Sequence, residues 1–135
     1  MENKTHGRVL NRKRHSQCLN YEGLEREGMT PTDLDGVLDY HSKAWLILEI
    51  KYSGEPIPAG QQRCFDRMTR VFSKDTPTLF IIADHDVSDS EQDVDVEATM
   101  VRQWSYNGVC WISCSEPLTT GEMVDRFLTL VDEQF

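Results

Sequence analysis

The sequence has no apolar run that approaches the ~20 residues of a membrane-spanning helix. Its first residues are polar and basic, so it also lacks the hydrophobic core of a signal peptide. These two absences predict a protein that stays in the cytoplasm and has no membrane partner.

Cysteine is scarce, and its spacing is not that of a metal-binding motif. The four cysteines include no Cys-x-x-Cys pair, and no histidine stands at zinc-finger spacing. Cys110 and Cys114 form a metal site only if ligands come from far along the chain. In a cytoplasmic protein the four residues are most simply reduced, small hydrophobic side chains.

Basic residues are few outside the first fifteen positions. At 135 residues the chain fits one domain, and its net charge of −9 argues against nucleic-acid binding. Residues 1–15 nevertheless carry five Lys or Arg against one acid, whereas the rest carries nine against 22. We therefore predict a basic N-terminal arm over 1–15 and a folded domain over 16–135. The arm either contacts a phosphate backbone or is a solvated, frayed terminus.

Two strand-like stretches form the centre of the sequence. Apolar and acidic residues alternate over Thr32–Asp39, which is the period of a strand with two different faces. The stretch Ala44–Lys51 is apolar almost throughout and predicts a strand covered on both faces. Only Tyr40–Lys43 separates them, so the pair is predicted to be an antiparallel hairpin.

The length of the hairpin loop decides which charged residues meet. A three-residue loop at His41–Lys43 places Asp35 opposite Glu49, with Lys51 two residues further along the same face. A two-residue loop shifts the register and removes this juxtaposition. Because carboxylates side by side repel each other unless a cation lies between them, the first register predicts a divalent metal site. Magnesium commonly takes one or two carboxylates and leaves its other positions to water and phosphate oxygens.

Asp35 followed after a hairpin by Glu49-Ile50-Lys51 resembles the signature of the PD-(D/E)XK nuclease superfamily. A helix predicted over Gly60–Phe72 starts with Gln61, where many members carry a site-facing glutamine. The resemblance covers roughly residues 21–72, and this part of the chain is similar to small phage-encoded members of the superfamily. The pattern is more specific than a Glu-x-Lys alone, because an acidic strand, a hairpin-sized gap and a glutamine on a helix accompany it in that order.

The resemblance implies a role for each of these residues. Asp35 and Glu49 would ligate Mg²⁺ or Mn²⁺, with Asp33 as the reserve ligand two residues earlier. Lys51 would position or activate the attacking water, and Gln61 would support the site or touch the substrate. The implied activity is a metal-dependent deoxyribonuclease in a bacterial or phage-infected host cell, with DNA as its partner. A homodimer or a partner protein would help so acidic a chain hold DNA.

The predicted fold is α/β, with one mixed central sheet flanked by helices, as in the restriction-endonuclease-like core. Pro77–Asp84 is typical of a central strand, and the strand, helix, strand order predicts parallel pairing with the Glu49 strand. Ala98–Gln103 and Val109–Ile112 predict two more strands around a turn at Tyr106–Gly108. Thr119 or Thr120, with Glu122, begins a final amphipathic helix.

Further residues have two interpretations each. Asp84 and His85 lie at the carboxyl end of a strand and either support the site or are purely structural. Arg63, Arg67 and Arg70 lie on the polar side of the predicted helix and either contact phosphates or form ion pairs in an acidic protein.

Two other functions compete with the nuclease. One is a catalytically weak or inactive nuclease-fold protein that binds a protein partner, such as a phage protein inhibiting a host enzyme; the net charge of −9 favours it. The other is a chance match in which Glu49 and Lys51 form a structural ion pair. This last interpretation requires Asp35 to be exposed to solvent.

Overall fold

The computed structural model describes residues 18–134. The chain divides into two units, Met1–Thr32 and Asp33–Phe135. The predicted basic arm over 1–15 lies outside the described residues. The described part of the first unit contains a 3₁₀ turn at Glu22–Leu24 and an antiparallel bridge between Arg26 and Met29. The predicted domain bounds, 16–135, stay a prediction.

The second unit is an α/β domain with a five-stranded mixed sheet and two helices. Its elements, in chain order, are β1 (Gly36–Tyr40), β2 (Ala44–Tyr52), α1 (Ala59–Phe72), β3 (Thr78–His85), β4 (Met100–Tyr106), β5 (Trp111–Ser113) and α2 (Thr120–Gln134). Neither of these helices nor any other in the described residues is long and apolar enough to cross a membrane.

The strands lie side by side in chain order, from β1 to β5. The β2–β3 pair is parallel, which confirms the prediction, and the other three pairs are antiparallel. Parallel strands need a crossover connection, and α1 supplies it. Pro58 precedes the first residue of α1, where a residue without an N–H group costs no helical hydrogen bond.

Each face of the sheet carries one helix and its own core. On the α2 side the buried residues are Ala44, Leu46, Leu79, Ile81, Ala83, Val101, Phe127 and Val131. On the α1 side they are Ile47, Phe65, Phe80 and Ile82. The side chains of β2 therefore alternate between two apolar layers, as expected for a strand covered on both faces.

The hairpin between β1 and β2 has the three-residue loop on which the site prediction depends. Tyr40 pairs with Ala44, and His41 and Ser42 adopt positive φ angles of 53° and 59°. An aspartate side chain stabilises this tight loop, because Asp39 accepts a hydrogen bond from the Ser42 amide. The strand itself is shorter than predicted, since β1 begins at Gly36.

A β-bulge interrupts the pairing of β3 with β4. Ile82 pairs with Gln103 and Ala83 with Val101, so Arg102 is the extra residue on β4. Val101 packs in the α2-side core. Side chains alternate along a strand, so Arg102 points to the α1 side.

The final helix starts with a complete capping box. The Thr119 hydroxyl accepts from the Glu122 amide at 3.1 Å, and the Glu122 carboxylate accepts from the Thr119 amide at 3.2 Å. The two bonds satisfy donors that would otherwise be unpaired at the start of the helix. This confirms the predicted start of the helix at Thr119 or Thr120.

Candidate functional site

The α1-facing side of β2 changes character along the strand. Trp45 and Ile47 are packed in that layer, but the next two side chains on the same side are Glu49 and Lys51. Gln61, in the first turn of α1, covers them from above. A polar site is thereby built into what is otherwise a hydrophobic interface between a helix and a sheet.

Glu49, Lys51 and Gln61 form a closed triangle of polar contacts. The Lys51 ammonium lies 3.0 Å from Glu49 Oε2 and donates to Gln61 Oε1 at 2.9 Å. The Gln61 amide donates to the same Glu49 oxygen at 3.1 Å. The side chains of Glu49 and Lys51 are only 5% and 14% exposed. Because each of the three side chains contacts the other two inside this buried layer, the triangle fixes the positions of all three.

Asp35 lies beside this triangle, just before β1. Extending the hairpin register by one residue beyond Gly36 places it opposite Glu49, as the three-residue loop predicted. Its Oδ2 accepts a hydrogen bond from the Ile50 amide at 2.7 Å, which directs the carboxylate toward β2. The residue is exposed to solvent, which is the condition that the structural ion-pair interpretation required.

Glu49 is buried with one oxygen unsatisfied. Within the described residues, its Oε1 has no hydrogen-bond partner, and it is the one such buried side-chain atom there. Burial raises the pKa of Glu49; the contact with Lys51 lowers it, and the nearby charge of Asp35 raises it again. A buried carboxylate oxygen without a donor is costly unless a cation or a proton satisfies it.

The donor set of the site fits a hard divalent cation. The described residues hold no group of three or more His, Cys, Asp or Glu side chains suited to a metal. Asp35 and Glu49 nevertheless supply two carboxylates, the number that magnesium commonly takes from a protein. The free Oε1 of Glu49 is available to such an ion without breaking its bonds to Lys51 and Gln61.

Asp33 and His85 have different surroundings. Asp33, like Asp35, is exposed and precedes β1, and its place as the reserve ligand stays a prediction. His85 pairs with Tyr52 across β2 and β3, and their rings are 5.3 Å apart. Because Tyr52 follows Lys51 directly, this ring pair lies on the opposite face of the sheet from Lys51.

Asp84 lies next to Lys51 in the β2–β3 register and shares its face. It accepts from Arg102 Nε at 3.0 Å and from Arg102 Nη2, and from the Gly54 amide at 3.3 Å. The guanidinium holds the pKa of Asp84 below its usual range. No sequence pattern marks Arg102, because only the bulge in β4 brings it to this face.

The three arginines of α1 are exposed. Arg63, Arg67 and Arg70 are spaced four and three residues apart and follow the outer side of the helix. Among residues 18–134 none of them has a carboxylate partner within ion-pair distance. The ion-pair interpretation therefore finds no support in this part of the chain, and phosphate contact stays a prediction.

A comparison of the chain with protein-family models, curated proteins and solved structures found no match.

Proposed function

We propose that the chain is a metal-dependent deoxyribonuclease of the PD-(D/E)XK type. The observation that carries this proposal is the joint placement of Asp35, Glu49, Lys51 and Gln61 at one end of a helix-covered strand. The unsatisfied buried oxygen of Glu49 adds to it, because a purely structural ion pair has no need of one.

Asp35 and Glu49 are the residues that would hold Mg²⁺ or Mn²⁺. When bound, the ion supplies positive charge to an oxygen of the phosphodiester and stabilises the charge that develops during in-line hydrolysis. Asp33 remains the reserve ligand in this proposal, although it lies outside the strand.

Lys51 is the residue placed to act on the attacking water. Its ammonium is fixed by Glu49 and Gln61, so little reorganisation is needed for it to orient a water or offset negative charge at phosphorus. Gln61 positions Lys51 and Glu49 at once, since its amide oxygen accepts from one and its amide nitrogen donates to the other.

The test is cleavage of plasmid, linear, single-stranded and branched DNA at low salt, first with magnesium and then with manganese. The natural chain is compared with Glu49→Ala and Lys51→Ala, and Glu133→Ala serves as a control acid at an exposed position of α2, on the other face of the sheet. We expect metal-dependent cutting that falls at least about 100-fold in the first two variants and is unchanged in the third.

Two results would contradict the proposal. If no DNA is cut although the protein is folded, the nuclease activity is absent. If cutting survives in both Glu49→Ala and Lys51→Ala, the activity belongs to another site or to a contaminant. Far-ultraviolet circular dichroism of each variant verifies that the fold is intact.

A protein-binding function is the second candidate, and the net charge of −9 favours it. An acidic surface occupies the DNA-binding groove of another protein by charge complementarity. Under this function the triangle is a structural remnant, and the exposed position of Asp35 is unimportant. Absence of DNA cleavage together with inhibition of a DNA-processing host enzyme would favour this candidate over the nuclease.

A further inference from the structure

The bulge in β4 delivers a guanidinium to the site-bearing face of the sheet. Val101 packs in the α2-side core, and Gln103 pairs with Ile82, whose side chain lies in the α1-side core. Arg102, between them, therefore adds a second consecutive side chain to the α1 side. Without the extra residue, the alternation of side chains would move either Val101 out of the α2 side or Gln103 out of the α1 side.

Asp84 fixes the direction of this guanidinium. Arg102 donates through Nε and Nη2 to the two oxygens of Asp84, a two-point contact that sets the plane of the group. The Gly54 amide holds the same carboxylate from the loop after β2. Glu55, also in that loop, lies close enough to favour the charged guanidinium, but it forms no hydrogen bond with it among the described residues.

Most of the donors of Arg102 are still free. A guanidinium has five N–H groups, and Asp84 takes two of them, so three have no acceptor among the described residues. The side chain is 22% exposed, which leaves these donors accessible from solvent. The unoccupied edge of the guanidinium can therefore donate to an anionic oxygen while Asp84 keeps its two bonds.

The position of the guanidinium relates it to Lys51. Asp84 is the register partner of Lys51, and neighbouring strands are about 4.8 Å apart. Arg102 belongs to β4, two strand spacings from β2, and its guanidinium is held on Asp84 of β3, so it lies between about one and two strand spacings from Lys51. That distance suits a phosphodiester group at the site or the next phosphate along the same strand of nucleic acid.

We propose that Arg102, oriented by Asp84, forms a phosphate-binding subsite for the nucleic-acid backbone next to the Glu49–Lys51 pair. This inference rests on the proposed nuclease function and adds to it a substrate-binding residue with its positioning partner. Arg102 contacts substrate; Asp84 acts only through Arg102.

The test compares Arg102→Ala, Arg102→Lys and Asp84→Asn with the control Arg126→Ala, which removes an exposed arginine from α2. Kinetic constants are measured on a short labelled DNA, and its affinity is measured by fluorescence anisotropy without metal over a range of salt. We expect Arg102→Ala to raise KM and Kd about 10- to 100-fold, with a smaller change in kcat.

The salt dependence separates phosphate binding from a structural role. Loss of one phosphate contact should lower the slope of log affinity against log salt by about 1. We expect this in Arg102→Ala and not in Arg126→Ala. Arg102→Lys should keep the slope but recover only part of the affinity, since lysine offers a point charge rather than a planar fork. Asp84→Asn should raise KM and leave the slope unchanged.

Each outcome decides between the two proposals. Cleavage and binding by Arg102→Ala that match the natural chain would overturn the subsite and leave the nuclease intact. Binding that depends on Arg102 without any cleavage by the natural chain would retain the subsite and overturn the nuclease. If the natural chain neither cuts nor binds DNA, both are wrong. If Arg102→Ala does not fold, Arg102→Gln, which keeps a donor for Asp84, is judged by the same criteria.

Discussion

The two faces of β2 differ although they belong to one strand. The α2 side carries only apolar residues of β2, namely Ala44, Leu46, Leu48 and Ile50. They pack in one layer with Phe127 and Val131 of the helix. On the α1 side the apolar layer stops after Ile47 and is replaced by Glu49 and Lys51. The strand keeps the same backbone geometry throughout, so the difference lies in the side chains alone.

This difference separates the side chains that stabilise the domain from those to which we assign its proposed function. Apolar burial is favourable wherever it occurs, whereas a buried ion pair gains little over well-packed hydrophobic residues of the same size. The α1 side therefore gives up potential stability near Glu49. We interpret that loss as the cost of a functional site, and four predictions test the interpretation, from the largest expected effect to the smallest.

Truncation in the α2-side core should have the largest effect. Phe127 is 4% exposed and packs against Tyr106. We expect Phe127→Ala to lower the free energy of unfolding by about 3–5 kcal/mol in urea denaturation. Val109→Ala, at a position 81% exposed, should change it by less than about 0.5 kcal/mol. A loss below about 1 kcal/mol in Phe127→Ala would mean that this face does not carry the stability.

Removal of Gln61 should mainly affect activity. The Gln61 amide bonds to both Glu49 and Lys51, so its loss leaves the pair unsupported. We expect Gln61→Ala to reduce cleavage about 10- to 100-fold, as found for groups that orient metal ligands. The neighbouring Gln62 bonds to Asp66 instead, and Gln62→Ala is the matched control. Equal rates for the two variants would show that the triangle has no part in catalysis.

Loss of the cap of α2 should have a moderate effect on stability and none on cleavage. Thr119→Ala removes the hydroxyl that accepts from the Glu122 amide. We expect a decrease of about 1 kcal/mol in the free energy of unfolding. Thr129→Ala, at an exposed position on the same helix, should have less effect. The comparison fails if capping contributes nothing, or if cleavage by folded Thr119→Ala also falls.

The smallest expected effect is a change in how stability depends on pH, caused by the buried Glu49 on the α1 side. The pKa of Glu49 is raised in the fold, so the folded state holds its proton more tightly than the unfolded chain does. The resulting stability is complete below the ordinary value of 4.5 and is lost as pH rises through the raised pKa. Glu49→Gln should remove this decrease in the free energy of unfolding, as measured by urea denaturation at several values between about pH 4 and 8.

Glu122 gives the control of opposite sign. Its pKa is lowered, chiefly by the hydrogen bond from the Thr119 amide, so its contribution is present above 4.5 and lost as pH falls. Glu122→Gln should therefore flatten the acidic side of the profile, whereas Glu49→Gln changes the side above 4.5. Identical profiles for the two variants would contradict the burial of Glu49 in solution.

Local patterns predicted most of the elements. The apolar runs of β2 and β3, the amphipathic stripe of α1 and the capping box of α2 each depend on residues close in sequence. The start of β1 was predicted too early because the alternation continues before Gly36, where the backbone is no longer paired. The predicted strand Val109–Ile112 likewise begins only at Trp111.

The sequence predicted the candidate site for only one of two possible lengths of the hairpin loop. Both loop lengths were compatible with the sequence, and a one-residue difference reverses which face each side chain takes. The structure has the three-residue loop, with positive φ angles at His41 and Ser42 that the sequence does not signal through glycine.

By itself the sequence determined the order of strands and helices and the presence of Asp35, Glu49, Lys51 and Gln61 at hairpin and helix spacing. Those features are local, since propensity and periodicity act over a few residues. Only the tertiary structure decided that Gln61 closes over the ion pair and that a bulge turns Arg102 toward Asp84. These contacts join residues 12 and 18 positions apart, and no local pattern encodes the register that brings them together.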